Sequence, residues 1–235
     1  MRSLLAQSEL KENQFEGYVI KADGKRMDGI VEIKNINHLW SFQETVLFFD
    51  KSLLDNEKVK KKEKTECRPG EYVEYGFQDR RYALVSYTNL NQASGGTTTT
   101  AMSVMKGATQ TKFFAEVFRE GKVSLYRFYN SPPDFWVTTG DAQAQEMQTF
   151  IRDCKENFDI LIEKEGEKAK AFGGISVKKF FKDCDFVVQK YEDKKYTKKP
   201  VKGLKSAFAS ENLRGDALAN AAMEMITDYE AECAK

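Results

Sequence analysis

Two thirds of the way along this chain the spacing of its apolar residues changes. That change constrains the fold more than any other feature. Up to Phe172 the apolar residues fall in short runs rich in Val, Ile, Phe and Tyr, divided by Gly, Pro and Asp turn residues. From Val177 onward they recur every three or four positions. The first pattern belongs to strands and the second to amphipathic helices. Strands followed by helices predict an α+β fold. It is a mostly antiparallel β-sheet of hairpins over the first two thirds, with two C-terminal amphipathic helices packed on it.

The turn residues set the hairpins. Asp23-Gly24 separates Phe15–Ile20 from Gly29–Ile33, and Asp-Gly between β-prone runs is a hairpin signal. Thr45–Phe49 is a further short run with strand chemistry. Pro69-Gly70 precedes Tyr72–Phe77, which is expected to pair with Tyr82–Tyr87. Glu120-Gly121 joins Phe113–Phe118 to Val123–Tyr129, and Glu165-Gly166 joins Phe158–Ile162 to Lys168–Phe172. Ser94 to Thr100 has no apolar side chain to bury and reads as a flexible loop.

In the last third, Val177, Phe180, Phe181, Cys184, Val187, Val188 and Tyr191 form one helical stripe, with Ser176 as its N-cap. Leu218, Ala221, Ala222, Met225, Tyr229 and Cys233 form a second, capped by Asp216 or Ser210. The chain therefore divides into residues 1–14, a β-rich region over 15–172, and a helical pair over 173–235 packed with it as one domain. The opening Met1 to Ser8 reads either as a signal-peptide remnant, an apolar piece ending in a small residue, or as a disordered N-terminus.

Composition limits the function classes. Hydrophobic residues make up 41% and charged residues 31% of 235, which is a folding composition and not a disordered one. The net charge of +1 lacks the basic excess of a nucleic-acid binder. The one basic cluster, Lys58 to Lys64, has no interleaved aromatics for stacking on bases, and reads as a solvated loop or edge strand. No apolar run approaches the ~20 residues that span a bilayer.

Few residues offer chemistry. The single histidine, His38, has no Cys–His or His–His spacing for zinc, so it reads as a loop residue making one hydrogen bond. Phosphate-binding loops, nucleophile elbows and kinase signatures are absent from the sequence. Acidic neighbours such as Glu163/Glu165 and Glu230/Glu232 are what a chain with 36 acids places on solvated faces. The four cysteines, Cys67, Cys154, Cys184 and Cys233, have no C-x-x-C spacing. Cys184 and Cys233 each fall on a helical stripe. If the stripes share a core, an oxidising compartment would join them in a disulfide, and a reducing one would leave two buried thiols.

Several short motifs resemble a group of uncharacterised secreted proteins from Bacteroidetes-type bacteria. They are Ala6-Gln7, Gly17-Tyr18-Val19-Ile20 with Asp28-Gly29-Ile30-Val31, Phe114 through Tyr126, Leu161-Ile162-Glu163-Lys164, Phe180 to Cys184, and Tyr229 to Cys233. The Thr-rich loop over 94–100 and the segment Asn130 to Asn157 depart from that pattern and look like insertions. The resemblance implies an exported, periplasmic or extracellular protein, with a cytoplasmic one as the alternative, and strengthens the disulfide reading. It carries no catalytic residue, cofactor or metal.

The expected function is a non-enzymatic binding or structural module with a protein or glycan partner in the envelope, recognised through an aromatic patch of Tyr126, Phe128, Phe135 and Trp136. The alternative is a hydrolase-like enzyme using His38 or clustered carboxylates.

Overall fold

The structure is a computed structural model, and it describes residues 10–55, 59–88, 111–132, 141–165, 167–196 and 215–233. Its strands are β1 (Gln14–Lys21), β2 (Arg26–Glu32), β3 (Val46–Phe49), β4 (Thr65–Cys67), β5 (Tyr72–Phe77), β6 (Arg80–Tyr87), β7 (Thr111–Arg119), β8 (Val123–Phe128), β9 (Asp159–Lys164) and β10 (Lys170–Ala171). They form an antiparallel ten-stranded sheet in the order β10-β9-β8-β7-β6-β5-β1-β2-β3-β4. The helices are α1 (Asp141–Cys154), α2 (Val177–Phe180), α3 (Asp185–Glu192) and α4 (Asp216–Glu232). The protein is thus α+β, as its hydrophobic periods require.

The chain divides into two compact units, Met1–Val85 with Lys112–Glu116, and Ser86–Thr111 with Val117–Lys235. In the first unit the Asp-Gly turn works as expected. Gly24 takes φ +83°, a left-handed conformation that glycine adopts freely, and Lys21 donates its backbone N–H to the Lys25 carbonyl. The core of this unit is aromatic. Tyr75 and Tyr82 are cross-strand partners whose rings stack at 4.7 Å, and Phe114 meets Tyr75 edge-on at 5.1 Å. A 3-10 turn over Leu39–Gln43 adds Trp40 and Phe42, and the Phe42 carbonyl accepts the Tyr75 hydroxyl.

Strand β4, at the end of the sheet order, had no clear signal in the sequence. The exposed Lys60, Lys61 and Lys62 lead directly into it, and Lys64 reaches Glu32 at 2.6 Å. Lysines beside an edge discourage pairing with another chain.

In the second unit Ile160, Leu161 and Ile162 of β9 are all fully buried, so this strand is covered on both faces. Helix α4 packs on β9 through a face that buries Leu218, Ala222, Met225 and Ile226. The helical stripe from Val177 to Tyr191 is not one helix. It breaks after Phe180 and restarts at Asp185, with Cys184 in the N-cap position at φ −138°.

Cys184 is held there by a disulfide to Cys233, with a Cα separation of 5.5 Å. Asp183 beside it accepts hydrogen bonds from Lys164 at 2.5 Å and from the Tyr229 hydroxyl at 2.6 Å. These ties draw residues 181–184 out of helical geometry. Ser176 does precede α2, but its side chain makes no capping hydrogen bond.

Gly215, not Asp216, is the N-cap of α4. Its φ is +58°, and a Cβ there would stand 2.1 Å from the Glu156 carbonyl oxygen. Ser210, the Thr-rich stretch 94–100 and Met1 to Ser8 lie outside the described residues. Helix α1 occupies part of the segment read as an insertion. Ala, Gln, Glu and Met are good helix formers, but they gave that segment no strong apolar stripe.

Candidate functional site

Side chains alternate between the two faces of a sheet, and cross-strand partners share a face. The register pairs Glu16 with Ile30, Tyr18 with Asp28, and Ile20 with Arg26, while Tyr18 and Ile20 also pair with Gly76 and Glu74 on β5. One face of β2-β1-β5 therefore carries Glu16, Tyr18, Arg26, Asp28 and Glu74 together. The opposite face carries Phe15, Val19, Val31, Tyr75 and Phe77 of the aromatic core.

On the polar face, glycine leaves room for Tyr18. A Cβ at Gly76 would stand 2.7 Å from the Tyr18 ring, so the phenol lies across bare backbone. Its hydroxyl donates to Glu74 at 2.7 Å, and the Arg26 guanidinium covers its ring at 3.8 Å from the centroid. Arg26 also pairs with Asp28 at 2.9 Å. Lys51, from the 3-10 turn that follows β3, reaches back to Glu16 at 2.7 Å.

Glu16, Tyr18, Arg26, Asp28 and Lys51 line a cleft of about 470 Å³, together with Gly17, Gly29, Phe77 and Gln78. Those two glycines are direct cross-strand partners, and a Cβ on either would collide with neighbouring atoms, at 2.2 Å for Gly17 and 2.6 Å for Gly29. The lip of the cleft is Gln78, in the β5–β6 turn. It holds φ +52°, a left-handed conformation that costs a residue other than glycine about 1–2 kcal/mol.

Burial and the Glu74 hydrogen bond push the Tyr18 phenol up to about 12. It therefore stays protonated at neutral pH and donates. The hydrogen bond to Asp28 raises the Arg26 guanidinium still further. Both cations of the cleft have a carboxylate partner and both carboxylates have a cation. The arrangement is suited to holding a ligand by hydrogen bonds.

His38 does not line this cleft. Its ring stacks on Trp40 at 4.6 Å, and Asn35 sits 3.2 Å from its Nδ1. Burial lowers its pKa, so it is neutral at physiological pH. Of the acidic pairs, Glu230 is bound to Arg119, and burial raises Glu163. Cys67 and Cys154 are free, buried thiols, pushed up by desolvation to about 12 and about 11, which makes them poor nucleophiles. Among the described residues no group of three or more His, Cys, Asp and Glu side chains could hold a metal ion.

The sequence singled out Tyr126 and Phe128 as part of an aromatic patch. Both are buried, at 9% and 1% exposure. Phe128 meets Tyr87 edge-on at 5.3 Å. Phe135 and Trp136 lie outside the described residues.

The cleft residues were not singled out from the sequence. Their signal was there in the polar members of the first hairpin, Glu16, Tyr18, Arg26 and Asp28, which alternate with its apolar ones. What the sequence could not supply was the register that sets them side by side, or the approach of Lys51 and Gln78.

Comparison with protein-family models, with curated proteins and with solved structures gives no match to this chain.

Proposed function

We propose that the protein is exported, to the cell envelope or beyond, and works there as a non-enzymatic binding or structural module whose ligand-facing surface is the cleft on β1, β2 and β5. The observation that carries this reading is the Cys184–Cys233 disulfide. Structural disulfides persist in oxidising compartments and are rare in a reducing cytosol. The resemblance of the short motifs to secreted proteins of Bacteroidetes-type bacteria points the same way. Among the described residues no helix is long and apolar enough to cross a membrane.

Binding in preference to turnover is supported by the state of the cleft. Its phenol is too basic to lose a proton near pH 7, and its carboxylates are engaged with cations. A general base needs a pKa near the working pH, which the Tyr18 phenol lacks.

Fractionation of the native cell tests the proposal. Recovery in the periplasmic, surface or culture-medium fraction is the expected result. Recovery in the cytosolic fraction would overturn it and reopen an intracellular role.

A further inference from the structure

We infer that the cleft on β1, β2 and β5 takes an uncharged, hydroxyl-rich ligand, a short oligosaccharide segment, held mainly by hydrogen bonds. This rests on the reading of the cleft as the binding surface, and it names the ligand class.

The charge of the walls comes first. Glu16 and Asp28 contribute two negative charges, Arg26 and Lys51 two positive ones, so the formal sum is zero. Each cation already lies within 2.9 Å of a carboxylate. An anionic ligand meets Glu16 and Asp28 beside each cation, and a cationic one meets Arg26 and Lys51 beside each carboxylate, so neither sign finds a net attraction. Ion pairs made at so exposed a surface gain little.

A neutral ligand needs no such attraction. An ion-paired carboxylate keeps lone pairs for further donors, and guanidinium, ammonium and amide groups keep further N–H bonds. Gln78 adds one acceptor and one NH2 group at the lip. Sugar hydroxyls both donate and accept, so they match such a mixed wall. Hydrogen bonds to charged groups are also the stronger kind.

Shape bears on two other classes. Strands β1 and β5 are paired on both sides and β2 pairs with β3 over Ile30–Glu32, so a peptide that extends the sheet is confined to Arg26–Gly29. Charged and amide side chains share the lining with the Tyr18 and Phe77 rings, a mixed wall where a lipid would want hydrocarbon throughout. The volume, about 470 Å³, falls within the ~300–1,000 Å³ of small-ligand sites. Gln78 at the lip holds a left-handed φ, a conformation that two-residue hairpin turns call for and that is also found at ligand sites.

The test is a printed array of neutral and acidic glycans probed with the wild-type protein, Asp28→Asn and Gln78→Gly. Gln78→Gly suits the local φ, so it removes the side chain while preserving the fold, and a thermal melt confirms that. The expected result is retention of neutral glycans by the wild type, weakened at least tenfold by each substitution. Acidic glycans alone, retained with the same sensitivity to Gln78→Gly, would overturn the neutral-sugar assignment and leave the cleft as a binding surface. Retention indifferent to both substitutions, or no retention of any glycan, would overturn the inference. Amide chemical-shift mapping of the cleft with a basic and an acidic tripeptide then separates this from failure of the binding reading itself. Shifts at Tyr18 and Asp28 would keep the cleft as a binding surface, and their absence would remove it.

Discussion

The ring of Tyr18 fills the space that a side chain at Gly76 would need. The two are cross-strand partners, and a Cβ on Gly76 would stand 2.8 Å from the Tyr18 hydroxyl oxygen. An aromatic ring laid over a strand glycine covers backbone that would otherwise face water, and pins the register of the pair. It also aims the hydroxyl at Glu74.

Gly76→Ala would therefore lift the ring. The substitution is expected to destabilise the protein by about 1–3 kcal/mol through overpacking. With the Glu74 hydrogen bond lost and the ring more solvated, the Tyr18 pKa should fall from about 12 toward that of a free phenol. Denaturant unfolding reads the first effect. Tyrosinate absorbance in a pH titration, with Tyr18→Phe as the reference, reads the second.

Alkali should unfold this protein from a definite point. Tyr18, Tyr72, Tyr87 and Tyr229 are each pushed up to about 12, in every case chiefly by burial. A raised folded pKa contributes stability that is complete below the unfolded value near 10 and is lost as pH rises toward 12. Unfolding free energy is expected to be flat up to about pH 8, to decline from there as the raised thiols of Cys67 and Cys154 titrate in the unfolded chain, and to fall more steeply above about pH 10 through the tyrosines. The absence of a steeper fall above about pH 10 would contradict the tyrosine assignment.

The acid limb should depend on Asp183. Burial pushes this carboxyl up, but the hydrogen bonds from Lys164 and Tyr229 outweigh it and hold it below the ordinary value. A depressed carboxylate contributes stability present above its unfolded pKa, near 4, and lost as pH falls through the folded value. Asp183→Asn should flatten part of the loss below about pH 4. Stability measured by urea melts across that window checks it. An unchanged acid limb would show that Asp183 is not linked to folding.

Removing the bridge should be costly. Cys184 and Cys233 are 49 residues apart in sequence. The chain-entropy relation for a loop of that length gives about 4 kcal/mol. Cys184→Ala with Cys233→Ala, or treatment with a reductant, is expected to lower stability by roughly 2–4 kcal/mol. Calorimetry with and without reductant measures it.

Gln78→Gly should cost nothing in stability. Relief of the left-handed conformation favours the variant, and the extra freedom of glycine in the unfolded chain offsets part of that. A gain of roughly 0.5 kcal/mol is expected. A loss above about 1 kcal/mol would mean that the Gln78 side chain holds the turn.

Much of the fold was legible in the sequence because turn residues announce hairpins. Asp23-Gly24 and Glu120-Gly121 each connect strands that are neighbours in the sheet, whereas Pro69-Gly70 lies between β4 and β5, which do not pair. Cys184 and Cys233 were legible as a pair because both lie on helical stripes that meet in one core.

The break at Phe181–Cys184 was not legible. Spacing alone continues through it, and only the ties of Asp183 and Cys184 to distant residues interrupt the helix. Tyr126 and Phe128 look like a recognition patch until the packing on the sheet face is known. Both are buried, and Phe128 packs against Tyr87. The cleft is the converse case. Glu16, Lys51 and Gln78 are ordinary polar residues in sequence, and become a site only through register and loop approach.

The most direct test of export, and of the bridge that goes with it, is the cysteine state of the protein taken from its own cell. The protein is extracted in denaturant with an alkylating agent and no reductant, then digested and mapped by mass spectrometry. The expected result is a linked peptide pair carrying Cys184 and Cys233, with alkyl groups on the free thiols Cys67 and Cys154. Four alkylated cysteines would contradict it, and would place the protein in a reducing compartment.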